Sequence, residues 1–420
     1  MKRIFCLAIC IALMVTGMAG CSASQKEEKK TNQDNITSST QNDDEEEAAI
    51  QEGENTDEDE DTWITEAKCT AEGTNGFVVR GNYVVFYAPG TDWADGEINI
   101  YSSKQGDRLL TVEGTISGAM ISSNIVYFVM DSGLYSYSGG EDARLLTSEM
   151  EGFQEFLGTI DGKIYCKGVE ERPDVSVTNV FTYDIESGEQ NTYTLEDNMG
   201  HIDALITGNH LFYTGGHTDV SATALYELNV DTGESVKMDN YVNNVVADAA
   251  GCLYYMSYDN PDYTFSNLTL KCYDIDAEKT TDIFYDTAAN TGNLVMADRE
   301  GLFFSGTVDN LNYFKRWDFE DQELTTVVTD YNLSYLPDCE SNRFYYAKYF
   351  KDDDGNVKES RVYVYNLDGE MEYIADWQYG QALAMANGYV YSCQMTEGTV
   401  GSYWDYGYGP TVLNGQHTSY

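Results

Sequence analysis

Four histidines, His201, His210, His217 and His417, are the imidazoles open to acid–base or metal chemistry in this chain of 420 residues. The first three fall within one short stretch. Their spacing matches no zinc-ligand pattern, and the alternation of side chains along strands sends neighbouring positions to different faces. A Ser-His-acid triad would need one of the four, and no G-x-S-x-G nucleophile turn occurs. From Trp63 onward there are 56 acidic residues, so accidental carboxylate pairs are inevitable and none marks an acid–base couple. Asp352-Asp353-Asp354-Gly355-Asn356 is the densest acidic loop. It lacks the alternating oxygen ligands and distal glutamate of an EF-hand, although Glu359 follows, and it reads as a solvated hairpin tip. No catalytic residue, metal ligand set or cofactor is assigned.

Nine cysteines reduce to six once Cys6, Cys10 and Cys21 are set aside: Cys69, Cys166, Cys252, Cys272, Cys339 and Cys393. None shows CxxC spacing. Disulfides are permitted in an exported protein. The six read as scattered buried thiols; Cys252 with Cys272, across a hairpin centred on Asp262, and Cys69 with Cys393, near the two ends, are the alternative pairings. The segment Tyr403-Trp404-Asp405-Tyr406-Gly407-Tyr408 is the best candidate recognition surface. Flat aromatics beside glycine and a carboxylate suit stacking on a sugar ring or anchoring a peptide. Tyr403, Trp404 and Tyr406 are the candidate ligand-binding residues, although core packing and ring closure would use the same side chains.

The elements that must position these residues come from a repeat. A short apolar strand ending in an aromatic returns eight times at a mean spacing of about 44 residues, from Val84-Val85-Phe86 to Tyr389-Val390-Tyr391, the length of one four-stranded propeller blade. Upstream of it lies a second apolar stretch, such as Ala119-Met120-Ile121 or Leu294-Val295-Met296, joined through Ser123-Asn124, Asp161-Gly162 or Gly208-Asn209, dipeptides suited to two-residue hairpins. A loop of variable length follows the aromatic strand, then a third strand, with Tyr403 to Tyr406 expected as the third strand of the last repeat. Asp184-Ile185-Glu186-Ser187-Gly188-Glu189 parallels Asn229-Val230-Asp231-Thr232-Gly233-Glu234, and these acidic runs read as turn chemistry rather than calcium ligands. Helical periodicity is essentially absent and tyrosine is abundant at strand positions. The expectation is an all-β propeller of eight blades, with seven as the alternative, in which Trp63 to Cys69 adds an extra outer strand at the closure.

Ahead of the repeats, Lys2 and Arg3 precede an apolar run from Ile4 to Val15 that is short for a membrane span. Met18-Ala19-Gly20-Cys21 resembles the lipobox of bacterial lipoproteins, although that family usually carries Leu at the position of Met18. The resemblance implies cleavage after Gly20 and lipid on Cys21, with two or three acyl chains to hold the protein to a bilayer. Residues 22–62 hold almost no large apolar side chain and read as a disordered, self-repelling acidic tether or a plain solvated spacer. The resulting division is 1–20 signal peptide, 21–62 lipidated cysteine and tether, 63–420 propeller.

The formal net charge is −47, of which 63–420 carries about −37 with no basic stripe. A field of that sign disfavours nucleic acid and anionic lipid surfaces and tolerates neutral glycans and cationic peptides. Lipobox, acidic tether and tyrosine-rich repeats together resemble uncharacterised propeller lipoproteins of Gram-positive gut bacteria. More distantly they are similar to TolB-like and low-density-lipoprotein-receptor-like propellers. No WD pattern, full YWTD motif or sialidase Asp-box is present, and the turn at Asp231 lacks the tryptophan of quinoprotein repeats. The resemblance carries no characterised activity. The expectation is a protein held at the cell surface through Cys21, binding an extracellular protein or glycan without catalysis. A structural component of an envelope complex and a polysaccharide-active enzyme are the alternatives.

Overall fold

Each aromatic-ending strand of the repeat is the second strand of an antiparallel sheet, and the apolar stretch before it is the first. The computed structural model describes residues 66–70, 77–88, 96–103, 107–172, 176–195, 203–215, 223–247, 251–260, 267–298, 300–336, 344–352, 355–365, 371–377, 381–386, 389–394, 396–397, 404–405 and 411–412. Cys21, Cys339, His201, His217, His417, Tyr403 and Tyr406, with the signal and tether segments, lie outside the described residues.

In the first sheet Phe77–Arg80, Tyr83–Ala88, Gly96–Ser102 and Arg108–Gly114 are hydrogen-bonded in chain order. The same four-strand meander recurs over 116–147, 153–194, 293–330 and 333–377. Between 204 and 287 two such units are fused, because Ser235–Ala247 pairs with Thr223–Leu228 through its first half and with Cys252–Tyr258 through its second. The last sheet joins Gln381–Ala386, Tyr389–Gln394 and Thr411–Val412. One helical turn, Ala288–Thr291, interrupts the strands among the described residues.

Burial follows strand order. The second strand Ile125–Met130 is buried along nearly its whole length, as a strand covered on both faces must be. The fourth strand Arg108–Gly114 alternates between exposed and half-buried positions. The apolar seams lie between consecutive sheets: Phe212 and Leu225 pack with Leu253 and Tyr255, and Phe303 stacks on Phe344 at 4.3 Å. First strands also touch in succession, Phe77–Arg80 on Ile116–Ser122, that strand on Phe153–Ile160, and that one on Ala204–Thr207. Gln381–Ala386 returns to pack on Phe77–Arg80, so the last sheet meets the first and closes the ring of a β-propeller.

Turn chemistry sets the strand ends. Ser123-Asn124, Asp131-Ser132 and Asp309-Asn310 all have positive φ at both residues, the type I′ geometry that matches the twist of paired strands. At the third-to-fourth connections Asp184 Oδ1 accepts from the Glu186 and Ser187 amides, and Asn229 Oδ1 from Asp231 and Thr232. Gly188 and Gly233 close the two turns at φ 73° and 74°. These oxygens are aimed at their own backbone. The hydrogen bond from Ser187 holds the Asp184 carboxyl below its ordinary value. A group with a depressed folded-state pKa stabilises the fold above its unfolded value, and that contribution is lost as pH falls through the folded one. Asp184→Asn keeps the acceptor, as Asn229 does naturally. It should lower melting slightly at pH 7, by the charge's share of these bonds, and flatten the loss of melting temperature below about pH 4, the region of the ordinary Asp pKa; an unaltered acid limb would contradict this.

Three expectations are corrected. The N-terminal strand Glu66–Thr70 pairs with Ile116–Ser122, the first strand of the second sheet, and touches the first strands of the first and third sheets. It is an innermost strand, not an outer one. Ring closure is made by packing of the first strands, which leaves the inner edge of the second sheet to take up this segment. The third strand of the last sheet is Thr411–Val412, whereas Trp404–Asp405 pairs with Thr396–Glu397 in a separate two-stranded insertion. Cys252 faces Asp274 and Cys272 faces Tyr254, so the two cysteines are diagonal rather than opposite. The Cys69 and Cys393 side chains lie outside the described residues, so the pairing of these two stays an expectation.

Candidate functional site

Antiparallel meanders put alternate connections at opposite ends of each sheet. One end carries the tight first-to-second turns such as Ser123-Asn124. The other carries the variable second-to-third connections and the crossings from sheet to sheet, and is here termed the loop end. At the loop end of the fused fourth and fifth sheets, bordered by the sixth, lies a cavity of about 400 Å³. Its lining includes the polar residues Asp203, Thr223, Asn243 and Asn244 and the apolar residues Leu294 and Val295.

The cavity exists because one strand serves two sheets. In Ser235–Ala247 the ladder shifts between Asn243 and Val246, so two residues lie outside regular pairing where the chain passes from the fourth sheet to the fifth. Tyr241 and Asn244 have φ of 54° and 51°. Asparagine tolerates the left-handed region; a tyrosine there is strained, and strained backbone clusters at binding sites. The Asn244 amide donates to Asn243 Oδ1 at 2.9 Å, the Thr223 hydroxyl donates to the Val242 carbonyl, and the Thr214 amide donates to the Asp203 carbonyl at 2.9 Å. These bonds fix the rim. Asn244 Oδ1 is buried and has no hydrogen-bond donor among the described residues. A buried acceptor left without a donor costs about 1–3 kcal/mol.

A second cavity of about 390 Å³ lies along Met150, Phe181, Tyr183 and Gln190. There the Tyr183 hydroxyl donates to the Leu146 carbonyl at 3.2 Å and Gln190 Nε2 to Thr147 Oγ1 at 2.8 Å. These two polar groups of its lining are spent on the fold.

The remaining sequence candidates fall in different places. His210 begins a second strand, at the end opposite the loops, with Nδ1 2.6 Å from Glu227 Oε1 and its ring stacked near Phe212. The Asp352 loop is a hairpin tip: the Asp352 amide donates to the Asn356 carbonyl, and the Asn356 amide to Asp352 Oδ1, both at 2.9 Å. Among the described residues no three His, Cys, Asp or Glu side chains gather within reach of one metal ion. Burial pushes the Tyr165 and Tyr346 phenols up to about 12, away from any role in proton transfer near neutrality. Trp404 sits between the second and third strands of the last sheet, in an insertion at the loop end. The bulge at Asn244 was missed by sequence reading; the paired asparagines Asn243-Asn244 inside an apolar strand were its one signal.

No family model matches the chain, and no curated protein matches it. Among solved structures it is similar to an acylaminoacyl peptidase of Pyrococcus horikoshii, at 14% identity over 71% of this chain and 51% of that one, TM-score 0.47. The chain thus spans about half the peptidase's length. It is similar to the β-propeller domain of the Trilobed protease of Pyrococcus furiosus, at 12% identity over 81% and 94%, TM-score 0.46. It is also similar to TolB of Acinetobacter baumannii, at 10% identity over 59% and 64%, TM-score 0.33. The assignment of this chain as a β-propeller rests on its strand order, ladder register and ring closure, and these distant propellers stand beside it as likenesses of fold alone.

Proposed function

We propose that this chain is a lipoprotein, anchored at the Gram-positive cell surface through Cys21, whose propeller binds an extracellular protein or glycan without catalysis. The observation that carries the reading is convergence. The cavity beside the bulge at Asn244 and the Trp404 insertion both belong to the loop end. Loops on a rigid ring suit recognition. The non-catalytic reading is supported by the one described histidine, His210, pairing with Glu227 away from the cavity. The acidic charge of the chain favours neutral or cationic ligands over anionic ones.

The test is cross-linking of the lipidated protein in its host cells, followed by capture and mass spectrometry, with Trp404→Ala run alongside. The expected result is reproducible capture of a cell-surface protein or glycan by the native chain. The variant should show at least a tenfold loss of capture with normal folding and surface level. A variant that misfolds would assign Trp404 to packing, and native capture no better than that of an unrelated lipoprotein would contradict the reading.

A further inference from the structure

We infer that Cys252 and Cys272 form a two-sulfur site for one soft monovalent cation, copper(I) or silver(I), on the fifth sheet. The site stands apart from the loop-end cavity and from whatever that end binds. Cys252 opens the second strand of the sheet, Cys252–Tyr258, just after a first-to-second turn, and Cys272 lies near the end of the third strand, Asn267–Asp274. Both are thiols of intermediate exposure, and both pack on the apolar cluster that joins the fifth sheet to the sixth through Tyr254, Leu302 and Phe304. They share one face of the sheet and lie within reach of solvent.

The ladder sets their separation. The Ile275 amide donates to the Gly251 carbonyl and the Asp259 amide to the Asn267 carbonyl, both at 3.1 Å, which makes these two pairs the hydrogen-bonded kind. Alternation along the register then makes Cys252 with Asp274, and Tyr254 with Cys272, non-hydrogen-bonded pairs, whose side chains stand closer. The two cysteines are a diagonal of that square. Diagonal neighbours lie about 7–8 Å apart at Cα and somewhat less at Cβ. A disulfide usually needs Cα atoms within about 4.4–6.8 Å and draws the sulfurs to about 2 Å, so this register asks the backbone to move before one can form. A single ion between the sulfurs leaves them two metal–sulfur bonds apart, roughly 4–5 Å, and suits the diagonal as it stands.

The donor set selects the ion. Among the described residues no third His, Cys, Asp or Glu comes within reach of a shared metal. Asp274, the carboxylate of the square, is exposed, and its Oδ1 accepts from the Ala277 amide at 2.9 Å. Zinc is held by four ligands and calcium by six or more oxygens, and two sulfurs serve neither. Thiolate sulfur selects copper(I), and silver(I) shares its charge and its preference for two opposed soft ligands. The surroundings are apolar, with the Tyr254 ring stacked on Phe319 of the sixth sheet at 5.6 Å. On binding, each thiol releases its proton to water and gives a sulfur electron pair to the ion. The ion keeps its +1 charge, and the complex carries one net negative charge.

The experiment uses the full chain, reduced and kept free of oxygen. It is titrated with copper(I) against a chromophoric copper(I) chelator and with silver(I) in chloride-free buffer, with zinc and calcium alongside. Cys252→Ser and Cys272→Ser test the site. Cys166→Ser is the control, because Cys166 is a buried thiol of another seam, packed with Phe156 and Ile164. The expected result is retention of copper(I) against the chelator, and two sulfur neighbours in X-ray absorption of the native chain loaded with one equivalent. The two site variants should each weaken retention at least tenfold with unchanged melting of the ion-free chain, and Cys166→Ser should not. Retention unchanged in both site variants would place the ion elsewhere and overturn the assignment. X-ray absorption needs no variant to fold, and three or four neighbours there would overturn the two-sulfur site. Zinc that displaces copper(I) would overturn the ligand class. A disulfide between Cys252 and Cys272 in protein isolated without reductant would overturn the metal site in favour of a covalent clip.

Discussion

Arg316→Ala is expected to lower stability at pH 7 by roughly 3–5 kcal/mol, the cost of removing one partner from the buried Arg316–Asp298 pair. The Arg316 side chain is 8% exposed, with Nη2 3.7 Å from both Asp298 and Glu300 and Nη1 bonded to Asp318. Its guanidinium lies 5.7 Å from the Phe303 ring centre and 5.5 Å from that of Tyr365, so it crosses from the sixth sheet to the seventh. Burial already pushes the Asp298 carboxyl above its ordinary value, and Arg316 opposes that rise. Without the arginine the Asp298 pKa climbs further. The sign follows: a raised folded-state pKa means the ionised carboxylate costs stability above it, and protonation relieves the cost as pH falls through it. The deficit of Arg316→Ala should therefore shrink between pH 7 and pH 4.5. Adding Asp298→Asn, which keeps an acceptor for the Glu300 and Gly301 amides, should recover part of it at pH 7. Denaturant midpoints at the two pH values check this, and equal deficits at both would assign the loss to packing instead of charge.

Phe303→Ala should be at least as damaging, at about 3–5 kcal/mol for a buried aromatic truncated to a methyl group. Phe303 is fully buried, stacked on Phe344 with ring planes 4° apart, and edge-on to Tyr365 at 5.3 Å. The seam between two sheets has no other way to fill a ring-sized void, because neighbouring rings are held by their own strands. Phe303→Leu, which keeps most of the volume, should lose less. Phe344→Ala combined with Phe303→Ala should be non-additive by about 0.5–3 kcal/mol, as residues in contact are. Strict additivity in the double-mutant cycle would mean that the stacked pair contributes only through area buried by each ring alone.

The repeat was legible because second strands such as Ile125–Met130 are covered on both faces. Val84-Val85 and Leu302-Phe303-Phe304 are continuous apolar runs, and all five side chains are buried. Turns were legible for a local reason: Asp184 and Asn229 bond to amides two and three residues on, an interaction written within six residues of sequence. What was not legible depends on partners far away in the chain. Glu66–Thr70 has strand character, yet nothing in its five residues says that its partner is Ile116–Ser122 instead of the last sheet. The diagonal placement of Cys252 and Cys272 is set by how many residues the connecting loop absorbs, and a symmetric hairpin guess misses by one pair. Trp404 sits among aromatics of the kind that build strands, so composition could not separate an insertion from a third strand. The candidate cavity depends on a bulge where one strand crosses between two sheets, and periodicity alone carries no sign of such a handover.

The placement of Glu66–Thr70 has a mechanical consequence. Glu66 lies opposite Ser122, beside a tight turn, and Thr70 lies opposite Gly118, so this strand runs from the turn end toward the loop end. A pull applied at Glu66 along the strand would be directed away from the loops. Its ladder bonds to Ile116–Ser122 are then loaded together in shear, where a strand peeled sideways would lose them one at a time. The load enters among the first strands of three consecutive sheets instead of at a single outer edge. Under such a pull the loop end would trail the turn end, and the force would be shared across the first strands of three sheets.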